Sequence, residues 1–333
     1  MDNKNLSNDE INSLMKKGYR KLKPHYCHFR FHPVPDVALS CFQRSSVAYQ
    51  HNKDYEHQVL ALNEAIKVAH NLHQYNDEAK AYYDKAIAYT MLMIQSKKKE
   101  EEYKKIEEAM NKSSQSYRIA KMTDNSINIY SDIIKDVFIP NNFNQYGCIL
   151  LLKGLDNSIE FIFDSDTNSI DTFNRALLLY INIGVEEEKY NDIIEIAMKF
   201  YKELTTHSNS DKQKIKSLIV IISLVRVLIQ SYDEIDQFIN EIDSTIFYDE
   251  IDKINAIVYA FKNIAIDSFE KTMKKIDIYN IPSQLEMKIR NTFASISNIG
   301  SNISETKEKE ILITLKEHAE NDTGVINNQL YNN

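Results

Sequence analysis

The chain has 333 residues and a formal net charge of -8, with 43% hydrophobic and 26% charged residues and both signs of charge mixed along its length. Its 6 Gly and 5 Pro argue against a β-rich or loop-rich protein, and the acidic balance argues against nucleic acid as a partner, because phosphate binding wants a basic face. The N-terminus carries no apolar leader stretch, and Cys27, Cys41 and Cys148 are scattered without a CxxC pair, so a cytosolic or nuclear protein with reduced thiols is expected.

Ser7 and Glu10 stand at capping-box spacing and open a helix through Ile11, Leu14 and Met15 that Pro24 ends. Lys16, Lys17, Arg20, Lys21 and Lys23 crowd its last turn, where cations suit the negative helix end; a basic contact for an anionic partner is the other reading. The stretch from His25 to His32 holds three His and one Cys, but at no zinc-ligand spacing. It reads as an aromatic linker, and neither a metal nor a cofactor is expected.

From Pro35 to Ile94 the pattern predicts three amphipathic helices on very short turns. Pro35 fits a first helical position and Asp36 adds negative charge to the positive helix end. Ala38, Phe42, Ser45 and Tyr49 share one face of the first. Asn52-Lys53-Asp54 interrupts, and Leu62, Ala65, Ile66 and Ala69 stripe the second. Asn76 is read as the N-cap of the third, which shows Ala79, Tyr82, Tyr83, Ala86 and Met93. Links this short turn each helix back against the last. The expected fold is therefore all-α, an α-solenoid of antiparallel helix pairs of the tetratricopeptide kind winding into a right-handed superhelix, although the repeat consensus itself is absent and the chain has no Trp.

From Ser96 to Lys105 Lys-to-Glu spacings of three and four read as a solvated helix start or turn, and Ile106, Ala109, Met110 and Tyr117 carry the stripe onward. A helix from about Asp124 to Phe138 ends at Pro140-Asn141-Asn142, the clearest break in the first half. Phe143 to Phe163 is apolar on several sides and is read as a central helix. Gly184 is expected to end the helix that Phe173, Ala176 and Tyr180 begin, and Thr205 to Asp211 is a short polar link.

Leu218 to Ile229 is the most apolar run, yet falls short of the roughly twenty residues that a membrane span needs. A buried helix is expected. Arg226 within it either lays its stem along apolar surface with its head in water or meets a carboxylate. Further helices carry Ile254 to Ile264, Phe269 to Ile276, and Leu285 to Ile296 behind Pro282, with Ala265 to Ser268 as a turn. A charged helix from Glu305 to Glu317 follows. Residues 1–320 are thus expected to form one array with an internal break near 139–143, and 321–333 a disordered tail. No Gly-rich phosphate loop, GxSxG elbow or HExxH occurs, and a low-Gly array with short loops is more often a binding platform than an enzyme.

Tyr19-Arg20-Lys21-Leu22-Lys23, the aromatic-basic stretch to Phe31, Pro35-Asp36-Val37-Ala38, the step Val225-Arg226-Val227-Leu228, and the order Phe269 to Ile276 then Ile281-Pro282-Ser283-Gln284 resemble the forty-kilodalton huntingtin-associated protein family. That resemblance implies a tetratricopeptide-like superhelix related to the soluble NSF attachment proteins. It implies a non-catalytic scaffold that binds a huntingtin-like HEAT-repeat protein, with a link to early endosomes through a Rab5-type small GTPase. It would place Lys21, Lys23, Phe31, Arg226 and Phe269 in protein contacts. The vertebrate members' proline-rich loop has only Thr205 to Asp211 in its place here. The alternative is an attachment-protein role, recruiting a AAA ATPase to SNARE complexes in vesicle trafficking. That family closes on a leucine, whereas Leu330 here is followed by Tyr331-Asn332-Asn333. A scaffold of either kind is expected to keep a large apolar surface for its partner.

Overall fold

A computed structural model describes residues 6–23, 33–163, 167–207 and 211–298; among them every regular element is a helix and none is a strand. The chain divides into two compact units, residues 1–207 and 208–333. The single array expected for 1–320 is therefore two units, and the division falls in the Thr205–Asp211 link rather than at 139–143.

Unit 1 holds α1 (Asn8–Leu22), α2 (Pro35–His51), α3 (Tyr55–Asn71), α4 (Tyr75–Gln95), α5 (Lys99–Ile119), α6 (Thr123–Ile133), α7 (Asn144–Ser158), α8 (Thr167–Glu186) and α9 (Tyr190–Thr206). The Ser7–Glu10 capping box forms, and Pro35 occupies the first turn of α2. From α1 through α6 each helix packs on the next. Tyr82 of α4 lies beside Lys112 of α5 and Tyr89 beside Lys105, a constant index sum that makes the two helices antiparallel.

Helices two apart run parallel, and their cross-links give the repeat length. Gln43 to Asp77 spans 34 residues, Asp124 to Ser169 spans 45 and Asp156 to Lys199 spans 43. These intervals lie in the range of helical-pair solenoids. Close approach relies on missing side chains. A Cβ on Gly18 would stand 2.7 Å from the Phe42 ring, and one on Gly154 would stand 2.6 Å from the Tyr130 ring.

The turns share one device. Lys53, His73, Lys121, Asn142, Glu188 and Gln230 all have φ between 56 and 59°. At each the left-handed residue and the one after it return hydrogen bonds to the helix end, as in Lys53 N–H to Gln50 O and Asp54 N–H to Tyr49 O. This corrects two expectations. Gln74, not Asn76, is the N-cap residue of α4, because His73 makes the reversal. Gly184 stays inside α8, where it gives room to Ile193, and Glu188 turns the chain.

The expected break at Pro140 is a local irregularity. Ile134–Phe138 widens into a π-helical turn, Ile139–Asn141 tightens into a 3₁₀ turn, and α6 still packs on both α7 and α8.

Unit 2 holds α10 (Lys212–Leu228), α11 (Tyr232–Glu241), α12 (Tyr248–Asn263), α13 (Ile266–Ile276) and α14 (283–298). The apolar run of α10 is buried as expected, from Leu218 through Val225. Phe261, Phe269 and Phe293 cluster on α12, α13 and α14, with Phe269 and Phe293 stacked at 4.0 Å. The turn expected at Ala265–Ser268 is instead at Ile264–Ala265, with Ile264 at φ 54°, and Ile266–Ser268 open α13. Among the described residues no helix is long and apolar enough to cross a membrane.

Candidate binding site on the odd-numbered helices

Unit 1 concentrates its concavities on one set of helices. A cleft lined by Met15 and Tyr19 of α1 and Leu60 and Lys67 of α3 has Tyr49 of α2 in its wall. A second, between α3 and α5, includes Tyr89 of α4. The largest, with a volume of about 1060 Å³, lies along α5, α7 and α9 and includes Tyr130 of α6. Tyr49, Tyr89 and Tyr130 of the even helices α2, α4 and α6 thus each contribute to one of these three clefts.

The α5–α7–α9 groove is built in register. Glu107 of α5 pairs with Lys153 of α7, and Asp156 of α7 with Lys199 of α9 at 2.8 Å. Tyr146 donates a hydrogen bond to Glu100 at 2.7 Å and packs its ring 5.0 Å from that of Tyr103. Gly154 lets the Tyr130 ring come up against α7. The Tyr130 hydroxyl donates to Asn111 Oδ1 at 3.0 Å and also hydrogen-bonds Ser114, and burial pushes its pKa above the ordinary tyrosine value. Tyr130 is therefore a fixed, neutral wall.

At the C-terminal end of α5 the Arg118 guanidinium stacks on the Phe161 ring at 3.8 Å. Lys202 and Glu203 of α9 and Glu160 after α7 complete that end. The groove therefore presents amides and charges. Of the large exposed apolar side chains, Ile119 lines this groove and Leu60 the α1–α3 cleft, while Ile149 lies on α7 and Tyr248 and Tyr259 on α12.

The residues singled out from sequence do not come together here. Lys21 and Lys23 are exposed at the end of α1. Phe31, with the whole His25–His32 stretch and Cys27, lies outside the described residues, as does 321–333. Phe269 is 1% exposed inside the aromatic cluster of unit 2, so it supplies core rather than partner contact. Arg226 has an 11% exposed side chain and meets a carboxylate, with Nε 3.5 Å from Glu234 Oε2 and a guanidinium N–H donating to the Glu234 carbonyl at 3.2 Å. It also lies 5.0 Å from the Phe238 ring. Of its two readings the ion pair holds, and the pair is internal. The groove residues were missed because each odd helix shows its polar face as ordinary solvated sequence.

No family model matches the chain, and no curated protein matches it.

Proposed function

We propose that this chain is a non-catalytic scaffold or adaptor that binds and steadies a large huntingtin-like helical-repeat protein and links it to early endosomes through a Rab5-type GTPase. The observation that carries the scaffold reading is the row of tyrosine-backed clefts along the odd helices, which offers a long surface rather than one enclosed pocket. The three-residue turns support it too, since they leave little loop on which to mount catalytic groups. The partner's identity rests on the sequence resemblance through Lys21, Lys23 and the Arg226 step. Quantitative affinity purification of the full chain from its source cell tests it. A very large helical-repeat protein in near-equal amount is the expected result. Recovery of only a AAA ATPase with SNAREs would replace it by the attachment-protein reading.

A further inference from the structure

The α5–α7–α9 groove has unspent hydrogen-bonding capacity of a specific kind. Asn111 spends its Oδ1 on Tyr130, which leaves the Nδ2 donor over. Gln115 and Asn157 line the same groove with exposed side-chain amides. An amide offers one acceptor and two donors, the complement of a peptide unit. The charges at the groove fall into two sets. Lys199 is held by Asp156 and Glu195. Among the described residues Arg118 and Lys202 have no carboxylate partner, and Glu160 and Glu203 no cationic one.

We propose that this groove binds an extended polypeptide segment carrying both acidic and basic side chains. Its main chain lies against the amides of Asn111, Gln115 and Asn157, an acidic side chain meets Arg118 or Lys202, and a basic one meets Glu160 or Glu203. A purely acidic segment would bring like charge to Glu160 and Glu203, and a purely basic one to Arg118 and Lys202. Arg118 suits this role, being exposed and lying over the Phe161 ring, and a guanidinium can pair with a carboxylate through its fork of N–H donors. Two interhelical steps of about 10 Å correspond to about six extended residues at about 3.3 Å each. This site deepens the scaffold reading and rests on it.

The test uses the full chain and three fluorescein-labelled peptides of about ten residues, in which Ser alternates with Glu and Lys in turn, with Glu alone, or with Lys alone. Fluorescence anisotropy should give the mixed peptide an affinity about tenfold above either single-sign peptide. Arg118→Gln with Lys202→Gln should remove that advantage and leave the circular-dichroism melt unchanged. Asn157→Ala should weaken all three peptides alike. Absence of saturable binding up to about 1 mM overturns the proposal, as does a single-sign peptide binding as well as the mixed one, or binding indifferent to the Arg118 and Lys202 changes. If these fail while the chain still recovers its large partner by affinity purification, the scaffold reading survives and only the groove assignment falls.

Discussion

Asp84 of α4 carries a carboxyl that the fold does not compensate. Burial raises its pKa to about 6, and the nearby Lys80 offsets this only in part. Its charge in turn helps hold the Tyr83 and Tyr117 hydroxyls above their ordinary values, in both cases behind burial itself. The folded-state pKa lies above the unfolded one, so this group favours the fold fully below about pH 4 and the contribution is lost as pH rises through 6. Asp84→Asn should therefore stabilise the protein at pH 7 by about 2 kcal/mol, with the gain vanishing near pH 4. Urea midpoints across that range measure it, and an effect that grows on acidification would contradict the assignment. Ile264 is a second local cost, a β-branched residue at φ 54°. Ile264→Gly should gain about 1 kcal/mol, less whatever its 38% exposed side chain contributes by packing. These turns were hard to see in the sequence for the same reason. A left-handed reversal is flagged by glycine, and here His73, Lys121 and Gln230 perform it; at Asn52-Lys53-Asp54 the polar run does mark the turn.

Between elements, the strongest polar tie is in unit 2. Glu250 of α12 is buried, accepts a hydrogen bond from Tyr279 at 2.6 Å and pairs with Lys216 of α10 at 3.1 Å, while Lys253 donates to the Tyr279 oxygen at 2.6 Å. Burial works to raise the Glu250 pKa, but the Tyr279 and Lys216 contacts prevail and hold it below the ordinary glutamate value. Its stabilising contribution is thus present above the unfolded value near 4.5 and lost as pH falls through the depressed one, opposite in sign to Asp84. Glu250→Ala should cost about 3 kcal/mol at pH 7, since it strands Lys216 and Tyr279, and less in acid. Equal costs at pH 7 and pH 3 would show that the carboxylate charge plays no part. The helices themselves were legible, because one-sided apolar spacing is local. This network was not, because Lys216, Glu250 and Tyr279 are separated by some thirty residues each and nothing in a helical period links them. Arg226 stands between these cases. Its partner Glu234 lies only eight residues on, and the sequence already offered a carboxylate as one of two readings.

For the molecule as a whole, the question is where the chain can be cut. Pro140-Asn141-Asn142 looks like a boundary in sequence, yet the burial on either side is shared. Tyr130, Ile133, Ile134 and Phe138 are each at most 1% exposed, and α6 and the turn after it pack on α7, with Gly154 against the Tyr130 ring and Gly147 within 3.5 Å of Phe138 at its Cβ position. A fragment ending at residue 140 strips those aromatic and branched side chains of their cover. Each fully buried side chain of this kind is worth about 2 kcal/mol, enough in sum to abolish a marginal fold. The link at Thr205–Asp211 is where the chain divides into two compact units, with α9 ending and α10 beginning on either side of it. Residues 1–207 alone should then keep a cooperative melt and the helical circular dichroism expected of α1 through α9. Residues 1–140 should aggregate or melt without a transition. If 1–140 folds cooperatively and 1–207 does not, the proline break is the real boundary, and the groove of α5, α7 and α9 is not the property of one folded unit.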